Sequence, residues 1–307
     1  MSKGKGLTKT NIEWADYTWP ITSGCKNGCL YCYAMIFLRR LGSMGIDRYA
    51  KCGTTPTYHR DQRAMLDNTK KPGVVFLSSM GDVLYPKDFR VYDKGEFKDG
   101  DFIASDGVCS EIAEAMKAHS QHDYVVLTKH DLLYDYTVRR NAKALGAFAT
   151  VGTSITLSTD YAGSEQRRLE GLLSLEVPYK VLSIEPFDPD YCSVTLETVL
   201  MLAAHVQAEI ASGQKKGLWV IVGGLTGTGR GAWERKMNSH AIAAIDYLVR
   251  QVSECYYHPV FIKNNFVTKK VIDSPSKNLV LGHQWRPSWF KTEQAKVLKL
   301  RAEGKVK

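Results

Sequence analysis

A parallel α/β sheet or barrel is the fold class that this 307-residue sequence predicts. Three observations lead there. Six short apolar runs recur along the chain, they are apolar throughout rather than alternating with polar residues, and amphipathic segments separate them. Strands buried on both faces read in this way, and strand–helix–strand order belongs to parallel sheets.

The runs are Val74–Ser79, Tyr124–Leu127, Ala149–Ile155, Lys180–Ile184, Leu218–Val222 and Pro259–Ile262, rich in Val and Ile. Helices are expected between them. Ser110–His119 gathers Ile112, Ala115, Met116 and His119 on one face, and Ser164–Leu175 gathers Leu169, Leu172 and Leu173. Thr195–Ile210 repeats the pattern with Leu196, Val199, Leu200 and Ala203. Ser239 caps the last, which runs to Val252 through Ile242, Ile245, Leu248 and Val249. The charged stretch from Tyr85 to Asp106 reads as a long excursion between strand and helix, of the kind that is functional or mobile. No internal repeat or low-complexity tract interrupts the pattern.

Composition bounds the function. With 44% hydrophobic and 24% charged residues the chain is an ordinary globular protein, neither collagen-like nor wholly disordered. No run of about 18 apolar residues predicts a membrane span. Met1–Gly6 has no apolar run behind it, so a secretory leader is not expected. A cytoplasmic, reducing location follows, in which the seven Cys are metal ligands, core residues or catalytic thiols rather than disulfides. The net charge of +9 is concentrated at the ends: residues 1–12 carry +3 and residues 291–307 carry +4, leaving +2 for the body. Basic ends can meet nucleic-acid phosphates, but they serve equally as solubilising tails.

The informative segment is Cys25-Lys26-Asn27-Gly28-Cys29-Leu30-Tyr31-Cys32, a C-x3-C-x2-C spacing. Three thiolates on one loop can each take one iron of a [4Fe–4S] cube, leaving the fourth iron open for reactivity. Gly24 and Gly28 allow the backbone to wrap such a group. A zinc knuckle completed by Cys52 or His59 is the rival reading, although no second C-x2-C pair exists; chance clustering of buried Cys is the third.

With its aromatic Tyr31 before Cys32, this loop resembles the hallmark of the radical S-adenosylmethionine (radical SAM) superfamily. A closer likeness spans most of residues 10–266. Ile12–Trp19, Ser183-Ile184-Glu185-Pro186, Val220–Gly224 and Phe261-Ile262-Lys263 resemble the phage-associated three-cysteine-motif radical SAM proteins, similar in turn to the spore photoproduct lyase branch. That family commonly has a longer gap between its first two Cys. The resemblance implies a partial (β/α)6 barrel with N- and C-terminal extensions: a basic tail over 1–12, the barrel over 13–270 and an extension over 271–307. It also implies a [4Fe–4S] cluster on Cys25, Cys29 and Cys32, SAM chelated at the unique iron, and reductive cleavage of SAM to a 5′-deoxyadenosyl radical. An external electron donor of flavodoxin or ferredoxin type is then required.

Carried onto this sequence, the resemblance sets the Cys loop after a first strand near Trp19–Thr22 and the site at the C-terminal ends of the strands. Ser78–Asp82 stands where relatives have a turn that receives the SAM amino group, so Met80, Gly81 and Asp82 are expected at the cofactor together with Tyr31. Ser154 can bond the SAM ribose or carboxylate, and Arg168 can pair with that carboxylate, as can its neighbour Arg167. Glu185 can bond the ribose or a substrate group, or pair with Lys263. Gly223 and Gly224 open a glycine-rich stretch that lacks the spacing of a phosphate loop and reads as a turn approached by SAM or substrate, where Arg230 can meet an anion. Cys192 and Cys255 are candidate hydrogen-atom donors, each against the plainer reading of a small buried hydrophobe.

The function expected is radical chemistry on a nucleic acid or nucleotide, such as base modification or repair. It rests on the basic ends, on Trp285 and Trp289 beside Arg286, which can stack bases or staple a tail to the body, and on the lyase likeness. Radical modification of a peptide side chain is the alternative among enzymes; a zinc-stabilised nucleic-acid-binding protein is the alternative outside them. No membrane partner is expected.

Overall fold

Pro20 has no amide hydrogen to give a ladder, and the chain turns there from one sheet into another. In a computed structural model of the chain, residues 5–29, 32–77, 79–156, 162–185, 193–223, 239–263, 285–294 and 296 are described. Their main sheet has β1 (Thr8–Lys9) antiparallel to β2 (Tyr17–Thr18) at one edge. Running parallel from β2 come β5 (Val74–Phe76), β8 (Asp123–Thr128), β9 (Ala149–Ile155), β10 (Tyr179–Ile184), β11 (Gly217–Val222) and β12 (Val260–Ile262). The sheet curls into a half-barrel flanked by helices, and all six expected runs lie in it.

Alternate residues of these strands serve two cores, the period-2 rule applied with both faces apolar. Val75, Val126, Val151, Leu182 and Val220 face the helices. Val74, Phe76, Val125, Leu127, Val181, Trp219 and Phe261 face the concave side, where Trp14 and Phe290 fill the space. The helices include α4 (Ser105–Ala118), α6 (Ala162–Leu173), α7 (Ser193–Ala211) and α8 (Ser239–Arg250). On α4, Val108, Ile112, Ala115 and Met116 are buried, which is the spacing of a single helical face. Between β8 and β9 lies α5 (Tyr136–Gly146), which the sequence reading did not anticipate. Its apolar stripe is thin, and Asp135 starts it by accepting the Val138 amide at 3.1 Å. No helix among the described residues is long and apolar enough to cross a membrane.

The excursion from Tyr85 to Asp106 is in part a β-hairpin. β6 (Phe89–Asp93) and β7 (Glu96–Ile103) join β3 (Thr22–Ser23) and β4 (Thr57–His59) in a second, four-stranded sheet ordered β3-β4-β6-β7. The turn is Lys94-Gly95, with φ of 50° and 93°, as a tight hairpin demands of both central residues. A half-exposed antiparallel pair carries charges on its outer face, which disguised it as a loop. The sequence expectation of a single first strand near Trp19–Thr22 is also corrected: the barrel strand ends at Thr18, and Thr22–Ser23 belong to the second sheet.

A strap from Trp285 to Gln294 closes the half-barrel where its strands begin. Trp289 stacks on Tyr179 with ring centroids 4.8 Å apart and donates to Thr150 Oγ1 at 3.2 Å. Phe290 packs against Trp219, and Arg286 grips both oxygens of Asp16 at 3.0 and 3.2 Å. Asp123 accepts the amides of Lys291 and Thr292 and the Thr292 hydroxyl. Trp289 is therefore used for stapling, and the expectation that it stacks bases is withdrawn. Trp285 keeps an exposed ring while its carbonyl accepts the Trp219 indole.

Candidate functional site

The Cys loop lies at the opposite end, where the strands finish. Gly24 bridges to Gly81 in parallel fashion and donates to the Met80 carbonyl at 3.1 Å. A Cβ on Gly81 would stand 2.7 Å from the Gly24 oxygen, so the close backbone approach expected at this glycine is made to the Cys loop. Met80 is buried beside this contact. The loop then folds back on itself: the Asn27 amide points to Cys25 Sγ at 3.5 Å and the Cys32 amide donates to the Cys29 carbonyl at 3.1 Å. Cys32 forms the N-cap of α1 (Tyr33–Ser43).

Cys25, Cys29 and Cys32 are half-buried free thiols. Burial, then the charge of Asp82, push the Cys25 thiol up to about 12; Cys29 and Cys32 add to the shift and the Asn27 amide opposes it. Among the described residues no three His, Cys, Asp or Glu side chains stand gathered as a metal site. Cys25, with its thiol pushed up, must give up a proton before it can ligate a metal. The donor set fits an iron–sulfur cube in kind and order: three soft ligands on one loop, the last at a helix N-terminus that favours an anionic sulfur. Cys52, the rival fourth ligand, is buried with its thiol on the Arg48 carbonyl, and His59 Nε2 is 2.7 Å from Ser23 Oγ.

Asp82 is the hub of the site. Its Oδ2 accepts from Thr128 Oγ1 at 2.8 Å, the Lys129 amide at 3.0 Å and Asn27 Nδ2 at 3.4 Å; Oδ1 accepts from the Leu84 amide at 3.0 Å. His130 Nε2 lies 3.9 Å from Oδ2. Asp82 thus ties the ends of β5 and β8 to the Cys loop. With Oδ2 filled, a ligand ammonium has only the remaining lone pair of Oδ1.

The next three strand ends form one rim. The Glu185 amide donates to Ile155, the Gly223 amide to Ile184 and the Lys263 amide to Val222, so each residue steps just past its neighbour's last strand residue. Lys263 Nζ stands 2.6 Å from Glu185 Oε1, an ion pair by distance although that oxygen receives no well-aligned hydrogen bond. Gly223 makes room for it. Ser154, half-buried near the end of β9, sits beside Ser183 of β10. Tyr33, which the sequence reading did not single out, stands next to Cys32 at the edge of the site. Its ring is half exposed, but its hydroxyl donates to the Ser79 carbonyl at 2.8 Å. Burial of that hydroxyl, and then Glu185 and Cys32, raise its pKa above the usual phenol range.

Arg168 differs from expectation. Its guanidinium donates to the Lys129 carbonyl at 3.2 Å and lies 3.5 Å from Glu165 Oε1, and only its Nε has no partner. Glu165, fully buried, accepts the Thr156 amide and hydroxyl, both at 2.6 Å, on that same oxygen; its Oε2 has no hydrogen bond. Arg168 is committed to holding strand ends together. Arg167 pairs with Asp131 at 3.4 Å on the surface. Cys255 is exposed in the π turn Gln251–Cys255 before β12, on the side where strands begin, and is not brought to the rim. Tyr31, Cys192, Gly224 and Arg230 lie outside the described residues.

No curated protein matches the sequence. Among solved structures, spore photoproduct lyase complexed with dinucleoside spore photoproduct is similar at 10% identity, over 85% of this chain and 80% of that one, with a TM-score of 0.50. A cysteine-to-alanine mutant of the lyase with the dinucleoside gives 11% identity over 83% and 78%, with a TM-score of 0.48. The partial barrel related to the radical SAM fold is thus the architecture of this chain. Residues 9–270 match the family described as "Protein of unknown function (DUF5131)", and the chain belongs to that family.

Proposed function

We propose that this chain is a radical SAM enzyme acting on a nucleic acid or nucleotide. One observation carries the reading: the loop bearing Cys25, Cys29 and Cys32 is pinned, through Gly24–Gly81 and Asn27–Asp82, to the C-terminal end of a parallel half-barrel. Active sites of β/α barrels are built at that end.

Cys25, Cys29 and Cys32 are the residues to hold a [4Fe–4S] cluster. A cluster held by these thiolates would supply the one electron needed for reductive cleavage of SAM to methionine and a 5′-deoxyadenosyl radical. The chain's own side chains position the reactants. Lys263 offers a cation to the cofactor carboxylate, while Glu185 and Ser154 offer acceptor and hydroxyl groups to its ribose. Gly223 lets backbone come close, and Oδ1 of Asp82 is the remaining acceptor for its ammonium. The fold-level relation to a lyase solved with a dinucleoside photoproduct supports a nucleotide-class substrate; a base within a duplex must then be extruded to reach the rim.

Anaerobic purification tests this. The expected protein is brown, carries about four irons per chain, and releases 5′-deoxyadenosine from SAM under dithionite. Cys29→Ala loses colour and cleavage together. A colourless protein with stoichiometric zinc overturns the enzyme reading in favour of the zinc-stabilised binding protein.

A further inference from the structure

The loop that leaves β8 displays two tyrosines at the end of the barrel where the Cys loop lies. Tyr134 is 75% exposed and Tyr136 74%, on either side of Asp135, the cap of α5. Their backbone is nevertheless well anchored. Asp82 accepts the Lys129 amide, and Arg168 donates to the Lys129 carbonyl. Asp131 Oδ1 accepts the amides of Leu133 and Tyr134 at 2.7 and 3.0 Å, and Arg139 donates to the Leu132 carbonyl at 2.8 Å. Leu132 is fully buried, and α6 lies so close that a Cβ on Gly171 would stand 2.5 Å from the Leu132 carbonyl carbon. Two rings carried on a frame this fixed cost little further ordering when a ligand settles on them.

The surroundings select the occupant. A protein contact needs an apolar centre, yet between Lys129 and Lys143 the two tyrosines are the only large hydrophobic side chains exposed. Cations stand beside them instead. Arg140 lies over the Tyr136 ring at 5.8 Å, and both it and Arg167 of α6 are about half exposed. Their partners are surface carboxylates, Asp106 at 3.0 Å and Asp131 at 3.4 Å, and exposed pairs of this kind are worth little, so a phosphate can take their place. Open aromatic faces next to arginines hold single strands: bases stack on the rings while phosphates meet the guanidinium groups. The place fits as well. An extended chain covers at most about 3.6 Å per residue, so the Tyr134 backbone, five residues beyond Lys129, stands within about 18 Å of the Asp82 end of the rim. The tryptophans Trp285 and Trp289 belong to the strap at the other end of the barrel.

We propose that Tyr134 and Tyr136 form a stacking platform for an unpaired polynucleotide strand whose reacting base lies at the rim, with Arg140 and Arg167 on its phosphates. The inference rests on the nucleic-acid reading above and narrows it: the substrate is a strand that continues beyond the reacting nucleotide, not a free mononucleotide.

The test is fluorescence anisotropy of the anaerobically purified full chain with a labelled oligothymidylate of about 12 nucleotides, and with the same strand paired to its complement. Tyr134→Ala and Tyr136→Ala should each weaken single-strand binding about tenfold, within the usual worth of one stacked base. Tyr134→Phe and Tyr136→Phe keep the ring and should stay within about twofold of wild type. Arg140→Gln should flatten the salt dependence. The duplex should bind more weakly than the single strand and be indifferent to the alanine variants. Because both side chains are exposed, melting profiles should not change. If the wild type binds the strand and the alanine variants bind it equally, the platform is overturned while the nucleic-acid reading stands. Phenylalanine variants that lose as much as the alanine ones overturn it too, as does a wild type that prefers the duplex. An alanine variant that turns a dimer into a monomer with strand binding intact overturns it in favour of a contact between copies of this chain. If the wild type binds neither strand nor duplex, the nucleic-acid reading itself has failed, and the platform with it.

Discussion

Lys263 Nζ meets Glu185 Oε1 at 2.6 Å across the end of β11, in space that Gly223 leaves empty. Gly223→Ala would bring a Cβ to 2.6 Å from that Glu185 oxygen and 2.9 Å from Lys263 Cδ, so both side chains must shift from their present positions. SAM affinity of the reconstituted variant should fall roughly tenfold, equivalent to about 1.4 kcal/mol. Anaerobic equilibrium dialysis measures it; equal affinity would remove the rim pair from cofactor binding.

Removing the hub should cost more than removing one of its spokes. Asp82→Ala strands the Thr128 hydroxyl and the Lys129 and Leu84 amides without their acceptor. A loss of about 2–4 kcal/mol is expected, against about 1 kcal/mol for Asn27→Ala. Denaturant midpoints would show it, and an Asp82→Ala protein as stable as wild type contradicts the tether.

Stability should fall with acid because of His59. Burial, then the charge of Arg48, lower this imidazole to about 3, against about 6.5 in an unfolded chain. Between those values the unfolded state binds a proton that the folded state refuses. The contribution is therefore complete above the unfolded pKa and is lost as pH falls toward 3, at up to about 1.4 kcal/mol per pH unit. Denaturation curves at pH 7, 6 and 5 should show this slope, and His59→Gln should flatten it.

The strap should matter for stability and not for substrate. Trp289→Ala loses the stack on Tyr179 and the bond to Thr150, a cost of about 3 kcal/mol. Oligonucleotide retention by the folded variant should equal that of wild type. A selective loss of binding would return Trp289 to base stacking.

What the sequence discloses and what it hides follow from the range of the interactions. The strands were legible because Val125, Val181 and Ile221 sit in runs whose both faces are buried. The three Cys were legible because their spacing is local. The hairpin Phe89–Ile103 was hidden by its outer-face charges, and α5 by its thin stripe. Asp82 was legible as a strand-end carboxylate, but its partners Asn27, Thr128 and Lys129 reach it from positions no local pattern connects. Glu165 and Arg168 look like helix surface in sequence, and only the tertiary fold buries them. Tyr33 offers no periodicity to read, only adjacency.

Arg286 and Asp16 are separated by 270 positions, and Phe290 meets Trp219 in a core it shares with Trp14. Loops of that size close slowly, because chain entropy must be surrendered before the contact repays it. An intermediate with its sheet assembled and its plug undocked displays indole rings to water, which is the kind of species that sticks to its own copies. Refolding yield will accordingly fall as protein concentration rises, and dilution will rescue it.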